Sequence, residues 1–181
     1  MEYPYSLDDY ILEVKEYMKK NELENPFVVA HSFGGRIVLK GVATKQLKFR
    51  KLVLTGCAGL KPKTTIKKVY KKCCFNICRH VFDKKRLERF YSKDYLLLNQ
   101  TMRQSFCKIV NEHLDIYLKD ISTPTLIING KRDKETPLYM AKRLNKGIIG
   151  SRLKIFDGCS HFCFLDKPNK FNMEVKEFLL S

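Results

Sequence analysis

Hydrophobic and polar positions along the chain switch between two periods. From Ser6 to Lys20, the residues Leu7, Tyr10, Ile11, Val14, Tyr17 and Met18 recur every three or four positions. That spacing predicts an amphipathic helix, and Ser6 with Asp9 three residues on forms a capping-box start. Asn25-Pro26 breaks the pattern, and Phe27-Val28-Val29-Ala30 follows as a compact apolar run of the buried-strand type. Gly34-Gly35 leads into a second helical pattern through Ile37, Val38, Leu39 and Val42. Three more short apolar runs read as strands: Lys51–Thr55 closed by Gly56 and Gly59, Thr125–Asn129 stopped by Gly130, and Arg152–Phe156 stopped by Gly158. Helices fit at Pro137–Lys146 and Pro168–Leu180. Strands alternating with helices predict an α/β fold with a mostly parallel sheet covered by helices on both faces.

The alternation stops between the second and third strands, over roughly 61–120. This stretch reads as helices at Thr64–Phe82, Lys84–Phe90 and about Asp94–Leu118. It is too long for a simple crossover and predicts an inserted helical cap. The domain reading is therefore a core made of 1–60 and 121–181, with 61–120 inserted.

Composition narrows the class. With 181 residues, 44% of them apolar and 12% aromatic, the chain can bury a real core and is not intrinsically disordered. No run approaches the roughly 18 apolar residues of a membrane helix. The start, Met1 to Asp9, is acidic and without a leader-like apolar region. Seven irregularly spaced cysteines suggest free thiols in a reducing compartment, hence the cytoplasm. The formal charge of +16 is uneven: residues 1–30 carry three basic and seven acidic side chains, whereas 61–90 carry eleven basic and two acidic. Such a basic stretch suits weak contact with anionic surfaces. Its lysines are interspersed with apolar residues and form no nucleic-acid motif, so no specific nucleic-acid partner is expected. Cys73, Cys74, Cys78 and His80 lack the second half that a zinc site requires, so no metal is expected. Cys107, Cys159 and Cys163 read as core or pocket thiols, and Cys57 lies just past the second strand.

Three features sit just beyond the C-terminal ends of predicted strands, the edge where open α/β sheets bind ligands. Ala30-His31-Ser32-Phe33-Gly34 has the small-x-Ser-x-small form of a nucleophile elbow. Small residues on either side let the chain turn sharply and lift the Ser32 hydroxyl clear of the sheet, at a helix N-terminus that favours a developing oxyanion. The third strand ends in Gly130-Lys131-Arg132-Asp133, and the fourth in Asp157-Gly158-Cys159-Ser160-His161. A serine hydroxyl needs a base, which His161 can supply, and Asp133 can fix the tautomer of that base. The order Ser, Asp, His, each after its own strand, suits one catalytic triad.

These segments resemble the α/β-hydrolase superfamily. Phe27 to Gly35 resembles its nucleophile-elbow segment, Pro124 to Pro137 its acid segment, and Gly158 to Phe162 with Leu165 to Pro168 its histidine segment. The resemblance spans about residues 6–180, with the helical stretch in the place of the family's lid. It implies Ser32 as nucleophile, Asp133 as acid, His161 as base and the Phe33 backbone N–H as one oxyanion donor. The implied function is a serine esterase-like hydrolase forming an acyl-enzyme on a small-molecule acyl substrate, with no cofactor. Carbon–carbon bond hydrolysis and a degenerate, non-catalytic descendant are the alternatives. Ala30 stands where the family usually has glycine. The family also has several strands before the elbow, with a His-Gly loop that completes the oxyanion hole, so the resemblance implies that the first third of the fold is absent. Phe27–Ala30 is then expected to be an edge strand, open to self-association. The apolar side chains of the inserted stretch, such as Val69, Phe75, Ile77, Val81 and Phe82, suit a hydrophobic acyl group or a packed core equally.

Overall fold

The computed structural model describes residues 3–64 and 93–181. The described residues fall into two compact units, 6–61 with 112–181, and 3–5 with 62–64 and 93–111. Apart from Thr64, which is not helical, the predicted helices at 64–82 and 84–90, the Cys73–His80 cluster and the apolar residues from Val69 to Phe82 lie outside the described residues.

The larger unit is built on four parallel strands in the order β1 (Phe27–His31), β2 (Lys51–Thr55), β3 (Thr125–Gly130) and β4 (Arg152–Phe156). Register runs straight across: Val29 pairs with Val53, Leu54 with Ile127, and Ile128 with Lys154. Because side chains alternate between faces, Leu52, Leu54 and Ile127 feed one core, and Val53, Leu126 and Ile128 the other. The first core is covered by α1 (Leu7–Lys20), α2 (Phe33–Ala43) and the helix Leu138–Gly147. The second is covered by the short helix Cys163–Asp166 and the helix Pro168–Leu180 through Phe171 and Phe178. All six residues of β3 are buried, and its centre is the apolar run Leu126-Ile127-Ile128. Each large aliphatic side chain so removed from water contributes about 2 kcal/mol.

Local chemistry sets the ends of the elements. The Ser6 hydroxyl accepts from the Asp9 N–H while the Asp9 carboxylate accepts from the Ser6 N–H at 2.6 Å, completing the predicted capping box of α1. Pro168 opens the last helix at its first turn, where the missing N–H leaves no bond unmade.

One predicted helix is corrected. Residues 94–118 do not form a single rod but α3 (Lys93–Leu97), α4 (Gln100–Asn111) and a 3₁₀ turn at Asp115–Asp120. Asn99 interrupts the run by accepting the Met102 N–H on its side-chain oxygen at 2.9 Å, an N-cap that starts a new helix. Residues 112–120 belong to the larger unit: Leu114 and Leu118 are buried in its first core, and Leu114 N–H donates to Gly59 O at 2.9 Å. Glu112 is anchored there by Lys40, a buried cation that pairs with it at 2.6 Å and with Asp8 at 2.8 Å.

In the smaller unit, Arg103 braces the junction of α3 and α4. Its guanidinium donates to Tyr95 O and Leu96 O at 3.1 and 2.8 Å and lies over the Tyr95 ring. The Tyr5 N–H donates to Ser105 Oγ at 2.8 Å, fastening the extended residues 3–5 to α4.

Candidate active site

Ser32 follows β1 directly and caps α2 with φ 48° and ψ −111°, a combination that non-glycine residues rarely adopt. Strain of this kind is the mark of a strand turned straight into a helix. The turn is held from below, since Ser32 N–H donates to Thr55 O and Ser32 O accepts from Gly35 and Ala58 N–H, each at 3.1 Å. The hydroxyl takes no part in capping α2. The N–H groups of Phe33 and Gly34 lie in the first turn of α2, where a helix offers them no intrahelical acceptor. Gly35 is the tight point of the elbow: a Cβ there would run into the Cys57 side chain.

Asp133 and His161 meet directly. The His161 Nδ1–H donates to Asp133 Oδ2 at 2.8 Å, with both residues buried. The carboxylate is held in place by the Glu135 and Thr136 N–H groups at 2.8 and 2.9 Å and the Thr136 hydroxyl at 2.8 Å. With Nδ1 as the donor, the lone pair of the neutral imidazole lies on Nε2. The acid and histidine loops are tied together along their length. Lys131 N–H donates to Phe156 O, and Arg132 N–H to Cys159 O, both at 3.0 Å. Arg132 Nε reaches Gly158 O at 3.1 Å, and Lys131 pairs with Asp157 at 2.8 Å. Ser160, beside His161, gives its N–H and hydroxyl to Asp166 at 2.6 and 2.8 Å, and these bonds hold the Asp166 carboxyl below its ordinary range.

Among the described residues no hydrogen bond joins Ser32 to His161. The two are connected through His31, whose ring centroid lies 4.6 Å from that of His161. All three candidate residues thus stand at the C-terminal edge of the sheet, Asp133 and His161 in contact and Ser32 one residue beyond a neighbour of His161.

The sequence marked Gly56 and Gly130 only as strand punctuation and His31 only as part of the elbow, and the structure places all three against the site. Gly56 has φ +50°, and a Cβ there would lie 3.0 Å from Cε1 and Nδ1 of His161. Gly130 lies so close under the histidine loop that a Cβ would meet the carbonyl oxygens of Cys159 and Ser160. Their place at strand ends was the available signal, although what each would touch is a long-range fact. The thiols divide differently from expectation. Cys57, Cys159 and Cys163 are buried, but Cys107 is exposed on α4. Burial pushes the Cys57 thiol up to about 12, and burial with nearby Cys159 and carboxylates does the same for Cys163, so neither supplies a thiolate. Among the described residues no group of three His, Cys, Asp or Glu side chains is placed to hold a metal ion, and no helix is long and apolar enough to cross a membrane.

Comparison with known proteins agrees with this architecture. The chain is 26% identical over 202 residues to the AB hydrolase superfamily protein YisY of Bacillus subtilis (strain 168), an alignment covering 96% of this chain and 74% of that protein. It is 26% identical over 196 residues to a 2-hydroxy-6-oxo-2,4-heptadienoate hydrolase of Pseudomonas putida, covering 97% and 71%. Among solved structures, the esterase EaEST from Exiguobacterium antarcticum superposes with a TM-score of 0.74 at 22% identity, over 98% of this chain and 75% of that one. The family model described as serine aminopeptidase, S33 (Hydrolase_4), matches residues 2–168, and the chain therefore belongs to this family of α/β hydrolases.

Proposed function

We propose that the protein is a serine-nucleophile hydrolase acting on a carboxylic ester or related acyl substrate through an acyl-enzyme. The observation that carries the reading is the buried Asp133–His161 pair beside the strained Ser32 elbow, on one sheet edge. In this scheme Ser32 Oγ attacks the substrate carbonyl carbon while His161 Nε2 takes its proton. The charge that develops on the carbonyl oxygen is met by the Phe33 N–H and the N-terminal dipole of α2. His161 then returns the proton to the leaving group as the carbon–heteroatom bond breaks. A water molecule, deprotonated by the same Nε2, releases the acyl group and restores Ser32. Asp133 stays ionised throughout and stabilises the imidazolium. The four described cysteines are all free thiols, which suits a cytoplasmic setting.

Labelling by a fluorophosphonate probe tests this reading. The wild-type protein is expected to label at one serine and Ser32→Ala not at all. Equal labelling of the two would overturn it. Carbon–carbon bond hydrolysis is the second reading, favoured by the relative named as a 2-hydroxy-6-oxo-2,4-heptadienoate hydrolase. Turnover of a vinylogous diketone, with none of simple aryl esters, would select it.

A further inference from the structure

His31 is delivered by β1 one residue before Ser32, and the scheme above leaves it unused. Its Nδ1–H donates to Thr55 O at 3.1 Å, which fixes the ring's tautomer and its plane. Around it stand the rings of His161 at 4.6 Å, Phe164 at 5.1 Å and Phe162 at 5.2 Å. His161 is therefore bracketed. Asp133 holds its Nδ1 edge, Gly56 leaves just enough room beside the ring, and His31 and Phe162 pack against it from elsewhere.

We propose that His31 is a positioning residue of this site, an inference resting on the hydrolase reading: its uncharged ring walls His161 and leaves that ring as the one that accepts the Ser32 proton. Two imidazolium ions in contact repel, so a proton on His31 opposes the proton that His161 must carry during the reaction. The titratable groups that act on His31 are His161 after β4 and Asp133 after β3, and the Thr55 carbonyl of β2 adds a backbone hydrogen bond. Burial, reinforced by His161, holds His31 below the ordinary imidazole range against the opposing pull of Thr55 O and Asp133. Phe162 and Phe164 supply the apolar surroundings that favour the neutral ring.

Two measurements test the proposal. The first needs no turnover: NMR of the imidazole carbons follows the titration of His31. Its midpoint is expected to rise in His161→Gln, which removes a repelling neighbour, and to fall in Asp133→Asn, which removes an attracting one. A midpoint unmoved by His161→Gln would overturn the proposal alone. The second is the rate of fluorophosphonate labelling against pH. At the acid end the wild-type rate should fall by about a hundredfold per pH unit, because two protons silence the site. In His31→Asn, which keeps a donor for Thr55 O, and in His31→Phe, which keeps the wall, the fall should be about tenfold. Equal slopes in all three proteins would also overturn the role of His31. Absence of labelling in the wild type at every pH would overturn the hydrolase reading itself, and the role of His31 with it.

Discussion

The two ends of the sheet are built to different standards. At the β3–β4 end, two loops are joined by backbone hydrogen bonds, an ion pair and the Asp133–His161 bond, above a strand buried at every position. At the β1 end the Ser32 elbow rides on a strand that, among the described residues, pairs on one side only. Phe27 is 41% exposed and Val29 50%. The acid and base are thus fixed relative to each other by many contacts, whereas the serine depends on the turn itself, on the Thr55 and Ala58 backbone, and on the close packing of Gly35 against Cys57. Precision resides in different places: Asp133 and His161 form a prefabricated pair, and Ser32 is placed at the same sheet edge by the registry of β1 on β2.

The same substitution on the two sides should separate them most. Gly130→Ala places a methyl group against the carbonyl oxygens of Cys159 and Ser160, backbone that cannot swing aside. We expect a loss of about 3 kcal/mol, the upper part of the usual range for overpacking, read as a lower urea midpoint at unchanged slope. Gly34→Ala meets only the Ala30 Cβ at 3.9 Å, an ordinary contact. There the higher helix propensity of alanine should leave stability unchanged or raise it by up to about 1 kcal/mol. Equal losses at the two sites would erase the distinction drawn between the two ends.

Much of this layout was legible in the residues. Strands at 51–55 and 152–156 agree with the predicted bounds because each is a short segment rich in Leu, Ile, Val or Phe with a glycine close behind it. The placement of Ser32, Asp133 and His161 just past the ends of β1, β3 and β4 was legible for the same reason. The break at Asn99 was not, since an asparagine in an amphipathic run declares itself as a cap only through the bond it makes to Met102. Nor was the burial of Leu114 and Leu118, because a helical period says which face is apolar and not which core receives it. The glycines stood out as strand punctuation. Their real constraint is the proximity of His161, Cys57 and the histidine loop, each far away in sequence.

A smaller effect is expected where the two ends meet. Gly56 closes β2 beneath His161, and Gly56→Ala adds a Cβ 3.0 Å from two ring atoms at a left-handed backbone position. The backbone alone costs about 1–2 kcal/mol. The ring must also give by a few tenths of an ångström, and misplacement on the scale of 1 Å costs about a hundredfold in rate. We expect fluorophosphonate labelling to slow by about tenfold or more while the protein stays folded. Unchanged labelling would show that His161 is not held against Gly56 during the reaction.

The smallest effect on stability belongs to the open edge. Pro26 O accepts from Arg50 N–H, and Ser32 N–H donates to Thr55 O, so in a parallel ladder the even-numbered residues of β1 face β2. Phe27, Val29 and His31 then turn their N–H and C=O groups to the other side. Val29 is at the middle of that row, with its side chain half in solvent and no charge on the strand to discourage a second strand from pairing. Natural edges are commonly blunted by an outward lysine. Val29→Lys should therefore change folding stability by no more than about 0.5 kcal/mol, as expected for an exposed position. It should nevertheless lower the sedimentation coefficient and raise solubility at high protein concentration, because it removes a template without touching the core. Sedimentation identical to that of the wild type, across the same concentration series, would show that this edge does not govern self-association.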